Sequence, residues 1–65
     1  MVYGWTVNDV LRELARGWIT LNEAVCLYAR ILEVPYDSVT MEQYAILKRL
    51  HEGFESVDDA AKALG

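Results

Sequence analysis

The single histidine, His51, and the single cysteine, Cys26, are the only imidazole and thiol in this sequence. Proton transfer near neutral pH would draw on His51, and nucleophilic attack on Cys26 with a base beside it. Cys26 falls in an apolar stretch, LNEAVCLYARIL, where a small packed side chain is the expected role. His51 stands beside Glu52 late in a helical segment and is expected to face solvent. A zinc site takes four ligands, which one thiol and one imidazole do not supply. The ten Asp and Glu residues offer many carboxylate pairs. Acid–base chemistry, however, draws on a concave, partly desolvated site, for which a 65-residue chain has little room. There is no glycine-rich phosphate loop. The expectation is a chain with no catalytic residues, no metal, no cofactor and no small-molecule substrate.

What remains is recognition. Arg12, Arg16, Lys48 and Arg49, with Arg30 nearby, could make phosphate contacts. The bland alternative is a solvated face carrying i, i+3 pairs such as Asp9–Arg12 and Glu13–Arg16. A formal net charge of -4 repels phosphate backbones and disfavours nucleic acid as the partner. Tyr3 and Trp5 precede the first helical segment and Tyr36 stands between the second and third. Such aromatics either fold onto a core or act as interface anchors, and the three form a candidate partner surface.

These side chains need elements to hold them, and the local signals for helices are strong. A Ser or Thr followed three residues later by an acidic or amide side chain can close a capping box. Thr6 with Asp9, Thr20 with Glu23, Thr40 with Gln43 and Ser56 with Asp59 all have that spacing. Trp5 and Val10 can add a hydrophobic staple around the first cap. Gly17, Gly53 and Gly65 fall where a left-handed residue ends a helix, and Pro35 bars continuation of the second segment. Apolar residues recur at helical spacing: Val7, Val10, Leu11, Leu14, Ala15 and Trp18 in the first segment, and Val57, Ala60, Ala61 and Leu64 in the last. The third, Met41 to Glu52, sets Ile46, Leu47 and Leu50 on one stripe.

The second segment, Leu21 to Leu32, is apolar around most of its circumference, so it is expected to be central or covered by a second chain. Leu27, Tyr28 and Ile31 are the candidate self-association residues. Residues 33–39 read as an extended linker. The sequence thus predicts one all-α domain over 1–65, a compact bundle of four short helices. They form two stacked helical hairpins, 6–32 and 40–64.

The hairpins repeat each other. LRELARGWITLNEA, from Leu11, aligns without gaps on LKRLHEGFESVDDA, from Leu47. The matched leucines are expected to face the neighbouring helix, and the glycine to end the helix. The aromatics Trp18 and Phe54 are expected to turn back onto the hairpin core, and the hydroxyl to cap the next helix. Duplication and convergence both produce this pattern.

Two resemblances follow from these runs. Thr40, Leu47, Leu50, Gly53, Ser56, Ala60, Ala61, Leu64 and Gly65 resemble the first two helices of the helix-turn-helix in LuxR-type regulators and sigma factors. In that family a recognition helix follows the closing Leu-Gly. Here Gly65 is the last residue, so the resemblance implies the scaffold without the reader. Leu11, Leu14, Gly17, Ile19, Thr20 and Glu23 resemble the short oligomerisation modules called SHOCT.

Size and composition complete the reading. A chain this short buries only about 60% of the surface it exposes when unfolded. Hydrophobic residues make up 54% of it, above the usual ~45–50%, so some apolar surface is expected to meet a partner. No apolar run is long enough to span a membrane, no signal peptide opens the sequence, and a lone cysteine suits the reducing cytoplasm. The expected function is a non-enzymatic helical interaction module, homodimeric and binding a larger protein. The alternative is a transcriptional regulator built on a truncated helix-turn-helix.

Overall fold

The computed structural model describes residues 5–65 and shows a small all-α bundle. Helices α1 (Val7–Arg16), α2 (Leu21–Leu32), α3 (Met41–Glu52) and α4 (Val57–Leu64) follow in chain order. Each begins at a predicted cap. Thr6, Thr20 and Thr40 accept from the backbone N–H three residues on, and Asp9, Glu23 and Gln43 accept in return from the cap N–H. These are complete capping boxes, each satisfying two amides that have no partner inside the helix. Ser56 accepts from the Asp59 N–H without a return bond, so α4 starts on half a box.

Both hairpin turns end their first helix in the same way. Gly17 and Gly53 take left-handed backbone, φ 79° and 87°. The Gly17 N–H donates to Leu14 O at 3.1 Å, and the Trp18 N–H to Glu13 O at 3.1 Å. In α3 the Gly53 N–H donates to Leu50 O and the Phe54 N–H to Arg49 O. This pair of bonds is the Schellman closure. Gly65 differs from expectation, since its N–H simply donates to Ala61 O and continues the ladder of α4.

The end of α2 holds a residue that the sequence did not flag. Glu33 sits at φ 59° with no glycine to relieve it. Its N–H donates to Arg30 O, and the Val34 N–H donates to Ala29 O, completing a third Schellman turn. The linker beyond is also not fully extended. Pro35, with φ -62°, starts a 3-10 turn over Tyr36–Ser38, closed by Ser38 N–H to Pro35 O and Val39 N–H to Tyr36 O. The turn lies against α2, where the Tyr36 hydroxyl donates to Asn22 Oδ1 at 3.1 Å.

Val10, Leu11 and Leu14 of α1 meet Ile46, Leu47 and Leu50 of α3 in one core cluster, together with Ala24, Val25 and Tyr28 of α2 and Ala60 of α4. The central position expected for α2 belongs to α1 and α3, which each pack against all three other helices. Helices α2 and α4 flank that pair, and their backbones do not approach each other closely. No described helix is long and apolar enough to cross a membrane.

The left-handed positions give paired expectations. Glu33→Gly removes a non-glycine side chain from αL and should stabilise by about 0.5–1 kcal/mol, raising Tm by several degrees. Gly17→Ala should lose about 1 kcal/mol through backbone strain alone, because a Cβ there would meet nothing within 4 Å. Thermal melts followed by circular dichroism check both. For the core, Leu47→Ala at a fully buried position should cost about 2–5 kcal/mol, measured by urea titration.

Candidate functional site

The side chains that could do chemistry stand in water. His51 is exposed, on the outer face of α3. Cys26 is exposed too, not packed as expected. It lies one residue past Val25, and α2 buries Ala24, Val25, Tyr28 and Ala29, which leaves Cys26 on the far side. Among the described residues no polar or charged side chain is buried, and no cluster of His, Cys, Asp or Glu side chains could hold a metal ion.

Of the proposed self-association residues, Tyr28 is 2% exposed and belongs to the core of its own chain. This corrects its expected place on a dimer face: it lies one turn on from Ala24 and Val25, on the buried line of α2. Its burial pushes the phenol above the usual tyrosine range. Leu27 and Ile31 are half-buried and pack against the same core. Of the proposed partner surface, Trp5 is half-buried on the cluster that contains Val10, as a staple would have it. Tyr36 is exposed, and Tyr3 lies outside the described residues.

The basic candidates do not form a free patch. Arg12 pairs with Asp9, Arg16 with Glu13 at 3.8 Å, and Arg49 with Glu55 at 3.0 Å. Lys48 is exposed and has no ion pair among the described residues. The pairs are local and join exposed arginines to half-buried carboxylates at the surface, each worth about 0–1 kcal/mol. They nonetheless place a carboxylate beside three of the four side chains expected to meet phosphate.

With the backbones of α2 and α4 held apart, a cleft of about 500 Å³ opens between their C-terminal ends and the start of α1. Val7, Tyr28, Leu32, Ala61 and Leu64 make its apolar walls, with Thr6 and Asn8 at the edge.

The strongest feature is one that the sequence pointed the wrong way. Trp18 and Phe54, expected to cover their hairpin cores, are 76% and 80% exposed. The closure of the turns explains it. A residue just past a Schellman glycine usually packs on an apolar side chain in the last turn of the helix. Here those places hold Arg12 and Glu13 in α1, and Lys48 and Arg49 in α3. Neither aromatic finds a greasy partner, so both stay out. Met41, in the first turn of α3, is 82% exposed. Leu32, Val34, Tyr36 and Tyr44 are exposed as well.

Comparison with known proteins gives no further guide: no family model, no curated protein and no solved structure matches the chain.

Asp9 shows how the caps respond to pH. The Thr6 backbone N–H donates to its carboxylate at 2.9 Å, and the Thr6 hydroxyl and Arg12 add to that bond, so its pKa lies below the ordinary aspartate range. A lowered folded-state pKa contributes stability that is present above the unfolded value and lost as pH falls through the folded one. Thermal stability should therefore decline as pH falls through and below the ordinary aspartate range. Asp9→Asn should remove part of that decline, which melts across this range will show.

Proposed function

We propose that the chain is a small non-enzymatic helical module that acts by binding other protein surfaces, itself as a homodimer among them. One observation carries the reading: Trp18, Met41 and Phe54 are each more than three-quarters exposed. Aromatic side chains are the ones most enriched among interface anchors, and the fold gains nothing from leaving two of them in water. The reading also suits the solvated state of His51 and Cys26, which have none of the burial that tunes catalytic groups.

Magnitudes bound the dimer. Covering one large apolar side chain contributes roughly 1.5–3 kcal/mol. Two copies that bury Trp18 and Phe54 against each other gain about 6–12 kcal/mol. Association costs about 4–15 kcal/mol in lost freedom. The two terms are of the same size, so a dimer built on these rings is weak and concentration-dependent and leaves the same aromatics able to meet a larger protein. The regulator reading draws on Arg12, Arg16, Lys48 and Arg49, three of which already face carboxylates, so the interaction module is the one carried forward.

Sedimentation equilibrium tests the self-association. The wild-type chain should show a mass that rises with concentration. Trp18→Ser with Phe54→Ser should stay monomeric while keeping its helical circular dichroism. A wild-type chain that is monomeric at high concentration removes the homodimer.

A further inference from the structure

The segment that runs from the end of α2 into α3 combines exposed apolar side chains with charge of one sign. Leu32, Val34, Tyr36, Met41 and Tyr44 are between 37% and 82% exposed. Glu33, Asp37 and Glu42 are interleaved with them, and all three are exposed. Between Arg30 and Lys48 the sequence has no Lys or Arg at all. The three ion pairs of the described chain, Arg12–Asp9, Arg16–Glu13 and Arg49–Glu55, use none of these three carboxylates.

Part of the segment is anchored to the bundle. The 3-10 turn packs on α2, and the Tyr36 hydroxyl bonds to Asn22. Met41 and Tyr44 are i, i+3 on α3 and share a face. Tyr36 and Met41 are five residues apart, which bounds their separation at about 17 Å even for extended chain. Leu32 belongs at once to this strip and to the wall of the cleft between α2 and α4.

From this arrangement we infer that residues 32–44 dock a basic amphipathic segment of a partner protein. Its apolar side would cover Val34, Tyr36 and Met41, and its lysines or arginines would meet Glu33, Asp37 and Glu42. Charge complementarity selects this occupant over a second copy. In a two-fold dimer the same patch meets itself, which would set the three carboxylates against three more on a chain of net charge -4. An apolar strip with an acidic rim favours a cationic partner and raises its rate of encounter. The inference rests on the interaction-module reading, but it uses a different surface from Trp18 and Phe54.

Fluorescence anisotropy with two labelled synthetic peptides tests it. One is an amphipathic helix of leucine and lysine, the other the same helix with glutamate for lysine. The lysine peptide should bind and the glutamate peptide should not, and added salt should weaken the binding. Neutralising the rim, with Glu33→Gln, Asp37→Asn and Glu42→Gln together, should weaken binding about tenfold and flatten its salt dependence. Val34→Ser with Met41→Ser should weaken it while preserving the salt dependence. Equal binding of both peptides, or unchanged binding by the neutralised chain, overturns the inference. If the lysine peptide fails while the wild-type chain still self-associates through Trp18 and Phe54, this surface is wrong and the module reading stands. If both fail, the module reading falls too.

Discussion

Leu11 and Leu14 on α1 and Leu47 and Leu50 on α3 are 0–2% exposed and share one cluster with Val10 and Ile46. They are the leucines at matched places in the two hairpins, and the α1–α3 seam they belong to organises the rest. Each helix of that pair touches every other helix, so α2 and α4 are pushed to the flanks and kept apart. The cleft beside Tyr28 and Leu64 is a consequence of that separation. So is the state of α2. Its apolar circumference exceeds what a flanking helix can bury, which leaves Cys26 and Leu32 exposed and Leu27 and Ile31 half-covered.

The same matched pattern has a second half with a different physical meaning. The glycines at 17 and 53 have left-handed backbone and are needed to close the turns. The aromatics that follow them are not needed for closure, because only the backbone N–H of Trp18 and Phe54 takes part. With charged residues at the two places in each preceding helix where such a ring would pack, the rings have no apolar seat there. Two hairpins thus carry a large exposed ring at a place where the fold asks only for an amide. That separation of structural demand from side-chain identity is why these rings, and not the core, are the place to look for function.

The fold was legible in the sequence because its signals are local. A cap and its return partner are three residues apart, and a left-handed glycine announces itself by type, so four helices and their bounds could be read directly. What escaped was whatever depends on a neighbour's position. Glu33 adopts αL because the end of α2 must reverse there, and its residue type carries no mark of it. The stripe of α2 is apolar on nearly every side, so periodicity could not say that Tyr28 faces in and Cys26 out. Trp18 and Phe54 were visible as turn aromatics, yet their direction rests on the polar character of the residues before the glycines. That information lies in Arg12, Glu13, Lys48 and Arg49, which deny such rings their habitual inward seat.

The linker stands outside the repeat, which ends at Ala24 and resumes at Leu47. The fold uses some of its side chains, Pro35 at the start of the 3-10 turn, Tyr36 bonded to Asn22 and Val39 packed on the core, and leaves the others free. Such a stretch would be expected to look like ordinary solvated loop, polar and mixed in charge. This one exposes Val34 and Tyr36 beside Glu33 and Asp37, and leads into Met41 and Glu42 at the start of α3. Three of the chain's six cations are committed to carboxylates close by in sequence. Apolar surface alone would invite any greasy neighbour, and acidic charge alone would invite only counterions. Side by side, each restricts the other, because a neighbour must bring both a greasy side and positive charge to cover the strip without stranding a carboxylate. A discriminating surface on so small a scaffold therefore falls where the helices leave the sequence free.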